Sequence, residues 1–377
     1  MNKIIYADNA ATTRLDQDAY SAMLPFLQEE YGNASNTYSF SRIPKKAIEE
    51  ARQIIAGCIN ATEEEIVFTS GGTEGANWAI KGVALKHSDK GKHVITSNFE
   101  HHAVLHSCSF LEELGYEITY IPVEENGHVS VEEIKKSILP TTTIISIMLA
   151  NNEIGTIQDI SGISKIISNG RTILHSDATQ AIGHIKVDVK NLGIDVLSAS
   201  AHKFNGPKGI GFIYLKKGTV LYNWISGGKQ ENDRRAGTEN VASIVGMAVA
   251  LKNNCKKLTE STLYLNTLSN IFLEMLNGSD IDFVINGDQN RLPGNINISI
   301  KDNDGEAIMH RLDLKNIIIS TGSACTSGKK TISHVIKAIG TPKEYAEGTI
   351  RITLSKENTI EEVYTIGKAI ISIVSTK

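Results

Sequence analysis

Hydrophobic residues follow two different periods along the first 215 residues of the chain. Short apolar runs rich in β-branched residues, at 66–69, 143–149 and 194–197, predict strands buried on both faces. Between them, segments such as 44–59 repeat apolar residues at helical spacing and predict amphipathic helices. This alternation of strand and helix is typical of an α/β fold, with a mainly parallel sheet covered by helices on both sides.

The pattern changes beyond a long helical stretch at 241–276. Short strands at 283–285, 295–300, 317–319 and 349–354, with helices at 305–314 and 332–339 and from residue 359, predict a smaller α+β domain. We therefore assign residues 14–255 to a large domain and residues 1–13 with 256–377 to a small one.

Polar residues collect where the predicted strands of the large domain end. They are Thr73, His101, Asn152, Asp177, Gln180, His202 and Lys203. Because the carboxyl ends of parallel strands meet at one edge of a sheet, these side chains are expected to form a single site.

Lys203 follows a predicted strand and precedes a glycine-containing turn, Asn205-Gly206-Pro207. A partly desolvated lysine in such a place has a lowered pKa and can form a Schiff base with a carbonyl compound. The alternative is a solvated lysine at a strand end.

The Gly71-Gly72 junction opens a predicted helix and suits a phosphate group, although such a turn also serves as a plain strand–helix connection.

Composition narrows the class of protein. The 377 residues carry a net charge of -4, which gives no electrostatic case for binding nucleic acid or an anionic membrane surface. No apolar run approaches the roughly 18 residues of a membrane span. Four widely spaced cysteines show neither metal-finger spacing nor a disulfide framework, so a reduced, cytoplasmic setting is expected.

Six motifs, in order along nearly the whole chain, resemble those of the cysteine desulfurases of the NifS/IscS type. They are SGGTE at 70–74, EHH at 100–102, NNEIG at 151–155, DxxQ at 177–180, SxHK at 200–203 and GSACTSG at 322–328. The resemblance implies a class V aminotransferase that uses pyridoxal phosphate (PLP) and has fold type I. Such proteins are homodimers whose large domain contains a mainly parallel seven-stranded sheet.

The resemblance also implies roles for individual residues. Lys203 is expected to bind PLP covalently and to act as a base, His101 to stack on the cofactor and move protons, and Cys325 to act as nucleophile on a mobile loop. Asp177 is expected at the pyridinium nitrogen, Arg351 at the substrate carboxylate. The remaining predicted contacts are Gln180 and Asn152 at the phenolic oxygen, Asn152 also at the substrate, and Gly72, Thr73, Ser200 and His202 at the phosphate, joined by Thr238 from a second subunit.

The activity implied is conversion of L-cysteine to L-alanine, with the sulfur passed to Cys325 as a persulfide. An acceptor protein, either an iron–sulfur scaffold or a tRNA-thiolation enzyme, is expected to receive it, and Cys325 to ligate an iron–sulfur cluster transiently. The other cysteines, Cys58, Cys108 and Cys255, lie in helical or apolar contexts and are expected to be structural.

Three positions depart from the family pattern: Arg14, Tyr38 and Ser41. Tyr38 and Ser41 lie in a segment near the substrate mouth in the family, so the reaction rate and substrate preference stay open.

The alternatives are a selenocysteine lyase or an aminotransferase of the same class, and a sulfur-carrier docking protein without turnover. The Cys325 loop argues against an aminotransferase, and the presence of Lys203, Asp177 and His101 argues against a docking protein.

No resident metal is expected. His102 and His106 have an i, i+4 spacing, but the glutamate of an HExxH motif and a third ligand are missing.

Overall fold

The structure is a computed structural model, and it describes residues 4–167, 170, 172–321 and 332–375. Its strands are β1 Ile5–Tyr6, β2 Ile66–Thr69, β3 His93–Ser97, β4 Glu117–Ile121, β5 Thr142–Ser146, β6 Ile173–Asp177, β7 Val196–Ser200, β8 Gly211–Leu215, β9 Phe283–Ile285, β10 Asn295–Ile300, β11 Ile317–Ile318 and β12 Thr349–Thr353.

The helices of the first 256 residues are α1 Gln17–Gln28, α2 Arg42–Cys58, α3 Gly72–Lys86, α4 His102–Glu113, α5 Val131–Ser137, α6 Ile160–Ile166, α7 Val189–Leu192, a short turn α8 Gln230–Asp233, and α9 Val241–Lys256. Those that follow are α10 Leu258–Asn277, α11 Gly305–Asp313, α12 His334–Ala338, α13 Lys343–Ala346 and α14 Ile360–Ser375.

The main sheet has seven strands in the order β2-β8-β7-β6-β5-β3-β4. Only β8 runs antiparallel to its neighbours, so the other six strands end at the same edge. Every residue of β2, β3, β5, β7 and β8 is buried. Helices α3 and α4 cover one face and α2, α6 and α9 the other. The predicted mainly parallel, doubly covered sheet is confirmed.

The strand predicted at 194–197 was placed too early in the chain. Strand β7 runs from Val196 to Ser200, because its ladder with β8 continues as far as Ser200. Ser198 fits there because its small side chain lies under α3, where a Cβ on Gly75 would come within 2.9 Å of it. The sheet therefore extends to within three residues of Lys203.

A second group of elements forms around a separate apolar cluster. It contains an antiparallel sheet in the order β12-β10-β9 and a parallel pair of β1 with β11. Residues of α10, α11 and α14 pack on these strands, and Ala7 from the N-terminal segment joins them. The division into residues 14–255 and residues 1–13 with 256–377 stays a prediction, because Leu292, Val335 and Ile336 pack in the core cluster of the main sheet.

Two parts of the second half differ from the predicted pattern. The helical stretch at 241–276 is two helices, α9 and α10, which meet at Lys257, and the short helix α13 was not predicted. Among the described residues, no helix is both long enough and apolar enough to cross a membrane.

Candidate active site

The carboxyl ends of the parallel strands surround a cavity of about 580 Å³. Most of the predicted site residues line it: Gly72, Thr73, His101, Asn152, Asp177, Gln180, Ser200, His202, Lys203 and Arg351. The first nine end or follow strands β2, β3, β5, β6 and β7, whereas Arg351 comes from β12 in the second group of elements. The cavity therefore lies between the two parts of the chain, within the usual size range of ligand pockets.

Lys203 ends a single 3₁₀ turn, Ala201–Lys203, that follows β7. Its Nζ donates hydrogen bonds to the carbonyl oxygens of Ala10 at 2.7 Å and Ala11 at 2.8 Å. Burial, with a smaller effect from the nearby Arg351 charge, lowers the pKa of Lys203 to about 8. A substantial fraction of this amine is thus neutral and nucleophilic near neutral pH.

His202 connects the lysine turn to the N-terminal segment. Its Nδ1 lies 3.2 Å from Thr12 Oγ1, and its carbonyl oxygen accepts hydrogen bonds from the Thr13 N–H and hydroxyl, each at 2.9 Å. Burial lowers the pKa of His202 to about 4, so its ring is neutral at physiological pH. The hydrogen bonds of His202 with Thr12 and Thr13 hold residues 10–13 over Lys203.

The N-terminus of α3 has the features of an anion site. Its N-cap residue, Gly71, offers no side-chain hydrogen bond, so the first N–H groups of the helix lack that partner. A Cβ on Gly72 would lie only 2.7 Å from the Thr179 hydroxyl. Among the described residues, this buried Thr179 Oγ1 has no hydrogen-bond partner. A phosphate group would satisfy these donors.

Asp177 and Gln180 provide a polar wall deeper in the cavity. Asp177 ends β6 and is only 6% exposed, and its Oδ1 accepts a hydrogen bond from the Thr179 N–H at 2.9 Å. Gln180 Nε2 donates to the Ala10 carbonyl at 3.0 Å. A buried carboxylate suits a protonated pyridine nitrogen, so the residues present fit PLP.

Arg351 places a fixed positive charge in the cavity wall. Its two terminal nitrogens donate to Asp8 Oδ1 at 2.8 Å and to the Asn152 carbonyl at 2.9 Å. Its buried Nε has no hydrogen-bond partner among the described residues. Arg351 is 5% exposed and thus positioned to bind a carboxylate at a defined point.

His101 caps α4 at the rim of the cavity, where its Nδ1 accepts a hydrogen bond from the Ala103 N–H at 3.1 Å. The neighbouring His102 ring lies 5.2 Å from that of His106 and 4.8 Å from that of His334, measured between centroids. Burial lowers the pKa of both His102 and His334. No group of three or more His, Cys, Asp or Glu side chains in the described part of the chain is arranged to hold a metal ion.

Two predicted residues are not placed in the cavity. Thr238 is exposed and lines a separate cavity of about 220 Å³ with Ser70 and Arg235. Cys325 lies outside the described residues. Ser320 and Ile332, on either side of the GSACTSG motif, both line the Lys203 cavity.

Sequence reasoning missed several polar contacts of this site. Thr179 lies within the DxxQ motif but was not singled out. Asp8 holds Arg351 from 343 residues away. Glu153, inside NNEIG, accepts a hydrogen bond from the Ser333 hydroxyl at 2.7 Å. Buried Glu100, inside EHH, has its pKa raised to about 8 by burial. The motifs indicated these positions, but not their partners.

Comparisons with known proteins agree with this geometry. Residues 5–366 match the family model described as Aminotransferase class-V. The chain is 50% identical to "Cysteine desulfurase IscS" of Dictyoglomus turgidum over 368 residues, covering 97% of this chain and 93% of that protein. It is 42% identical to "Putative cysteine desulfurase IscS 1" of Bacillus subtilis, covering 98% of each chain.

Solved structures give the same result. A "NIFS-LIKE PROTEIN" superposes with a TM-score of 0.94 at 35% identity and covers 100% of both chains. "SspA in complex with cysteine" has a TM-score of 0.83 at 34% identity and covers 94% of this chain and 100% of that one. The chain therefore belongs to the aminotransferase class-V family and, within it, to the cysteine desulfurases of the IscS and NifS type.

Proposed function

We propose that the protein is a PLP-dependent cysteine desulfurase that converts L-cysteine to L-alanine and passes the sulfur to Cys325. The observation that carries this proposal is the cavity itself. It places Lys203, with its pKa lowered to about 8, in one chamber with the Arg351 guanidinium. An amine that is partly neutral and a fixed carboxylate-binding group are what an amino-acid substrate requires.

The cofactor would be held by residues that the cavity brings together. Gly72, Thr73 and the Thr179 hydroxyl, which has no hydrogen-bond partner in the described part of the chain, would take its phosphate, with Ser200 and His202 beside them. Asp177 would keep its ring nitrogen protonated. When bound, PLP supplies an electron sink that stabilises negative charge at the substrate α-carbon.

Substrate orientation follows from Arg351 and Asn152. Asp8 and the Asn152 carbonyl fix the guanidinium plane, and the Nε–H is a donor without a partner in the described structure. A carboxylate bound there would hold the amino acid with its α-carbon toward Lys203. Substitution of Arg351 is thus expected to raise KM for L-cysteine.

Proton transfer is the role we assign to Lys203 and His101. The lowered pKa of Lys203 allows its Nζ both to accept and to return a proton near neutral pH. His101 lies at the rim, its Nδ1 occupied by the Ala103 N–H, which leaves Nε2 as the nitrogen that can exchange protons.

Sulfur transfer is assigned to Cys325 through its place in the GSACTSG motif. The described residues on both sides of that motif line the cavity, which supports delivery of the thiol to the substrate sulfur. An iron–sulfur scaffold or a tRNA-thiolation enzyme would accept the sulfur, and Cys325 would ligate a cluster transiently.

We further propose a homodimer in which exposed Thr238 completes the phosphate site of the second subunit.

The test is the production of alanine and sulfide from L-cysteine by the purified holoenzyme with a thiol reductant. Equal amounts of both are expected, lost in Cys325→Ala and retained in Cys58→Ser, which controls for removal of a thiol elsewhere. Bound PLP without alanine would contradict L-cysteine as substrate. Alanine formation that survives Cys325→Ala would contradict the nucleophile.

A further inference from the structure

The main chain around Lys203 is held by side chains from three separate segments. The carbonyl oxygens of three consecutive residues, 202–204, each accept a hydrogen bond from a side chain distant in sequence. The donors, in that order, are Thr13 Oγ1 at 2.9 Å, His184 Nε2 at 2.8 Å and Asn254 Nδ2 at 2.7 Å. The backbone of the turn is therefore fixed at three successive points, and the lysine side chain is oriented with it.

His184 makes the contact to the carbonyl of Lys203 itself. A carbonyl oxygen carries no proton, so the ring nitrogen that faces it, Nε2, must be the protonated one. Burial lowers the pKa of His184, which keeps the ring neutral at physiological pH. A neutral imidazole has a single N–H, and here it points at the lysine carbonyl. The neutral ring also adds no positive charge beside the Lys203 amine.

Gly183 allows the histidine to come this close to the lysine turn. Its φ is +80°, in the left-handed region that favours glycine, and a Cβ there would lie only 2.7 Å from Phe204 Cβ. The His184 N–H also donates to the Ala181 carbonyl at 3.0 Å, which turns the chain toward Lys203. The local backbone is thus shaped for the contact between the ring and the carbonyl.

The segment 177–184 connects two parts of the candidate site. Its first residues contribute the side chains of Asp177, Thr179 and Gln180 to the cavity wall. Its last residue holds the main chain of Lys203. Because the segment is short, the side chains that face the expected coenzyme ring and the backbone of the lysine that would bond to it are positioned together.

We propose that His184 is a positioning residue, which holds the Lys203 turn where the amine can bond covalently to PLP. The inference rests on the proposed role of Lys203 in binding the coenzyme. In that bond the Lys203 nitrogen replaces the aldehyde oxygen, which leaves as water with the two protons of the neutral amine. His184 acts through the lysine carbonyl alone, whereas other residues would contact the phosphate and the ring. Loss of His184 should therefore weaken the covalent part of binding and spare the rest.

The experiment compares two ligands on full-length apoenzyme by equilibrium dialysis. PLP can bond to the lysine, whereas pyridoxine 5′-phosphate has an alcohol in place of the aldehyde and cannot. His184→Leu should weaken the apparent affinity for PLP about tenfold, as expected for a buried carbonyl that loses its hydrogen bond, and leave the affinity for pyridoxine 5′-phosphate unchanged. The matched control is His87→Leu, which removes an Nε2 contact to the Val220 carbonyl at 3.1 Å, at the opposite end of α3 from the cavity. It should change neither affinity.

Two polar variants test the hydrogen bond without introducing an apolar side chain. His184→Gln can offer an amide N–H to the same carbonyl and should keep most of the PLP affinity. His184→Asn is too short to reach it and should behave as His184→Leu does. Circular dichroism checks that each variant is folded.

Three results would overturn the proposal: unchanged PLP affinity in His184→Leu, equal weakening of both ligands, or glutamine and asparagine variants that bind PLP alike. A failure of the proposed function would look different. The unmodified protein would then bind PLP no more tightly than pyridoxine 5′-phosphate, which would contradict the role of Lys203 on which the inference rests.

Discussion

The lowered pKa of Lys203 makes a quantitative prediction about how the apoenzyme captures its coenzyme. Only the neutral amine can attack an aldehyde. With a pKa of about 8, about a quarter of Lys203 is neutral at pH ~7.5. At the ordinary lysine value of 10.5 the fraction would be about one in a thousand, so the predicted advantage is roughly 200-fold.

The assay is the rate at which apoenzyme regains coenzyme absorbance after mixing with PLP, measured from about pH 6 to about pH 10. The rate should rise with pH and level off above a midpoint near 8. Two matched variants separate the causes, because Arg351 lowers the pKa of Lys203 and Asp8 raises it. Arg351→Gln should move the midpoint to higher pH, and Asp8→Asn should move it to lower pH.

Two results would refute this reasoning. A midpoint near 10.5 in the unmodified protein would mean that the cavity does not desolvate Lys203. A shift in the same direction for Arg351→Gln and Asp8→Asn would mean that their charges do not act on the amine. Lys203→Arg, which keeps a positive charge but offers no neutral amine, should show no covalent capture at any pH in the range.

Three further predictions concern single residues. Thr179→Val should weaken PLP binding about tenfold or more in equilibrium dialysis, because the variant loses one hydrogen bond to a charged group. The pH midpoint of coenzyme capture by Lys203 should stay unchanged. Lys203→Ala should lose the visible absorbance of lysine-linked coenzyme, and an unchanged spectrum would remove that role. Arg52→Met should destabilise the fold by about 3–5 kcal/mol in urea unfolding. It removes the two hydrogen bonds from Arg52 to the buried Glu231 carboxylate, at 2.7 and 2.8 Å, and leaves only the one from the Phe68 N–H among the described contacts. An unchanged midpoint of unfolding would contradict that pairing.

The placement of the cavity could be predicted from the sequence because it follows from topology. Apolar runs alternating with helices fix a parallel sheet, and polar residues after each run then meet at one edge. Lys203 and Asp177 come together in this way. The residues at which strands end are harder to predict from the sequence. The extent of β7 depends on its pairing with β8 and on the small side chain of Ser198 under α3.

Contacts between distant segments could not be predicted. The Asp8–Arg351 ion pair joins residues 343 positions apart, and no local pattern indicates it. That Thr179 Oγ1 has no hydrogen-bond partner among the described residues becomes visible only when β6, β7 and α3 are assembled. The break between α9 and α10 at Lys257 was hidden because helical spacing continues across it.

The central claim is that sulfur leaves the substrate on Cys325. The most direct measurement is a single turnover of holoenzyme with L-cysteine and no reductant, followed by peptide mass spectrometry of all four cysteines. The account predicts one added sulfur atom on the Cys325 peptide and one alanine released for each active site. An added sulfur on Cys58, Cys108 or Cys255 instead, or alanine release with none on Cys325, would contradict it.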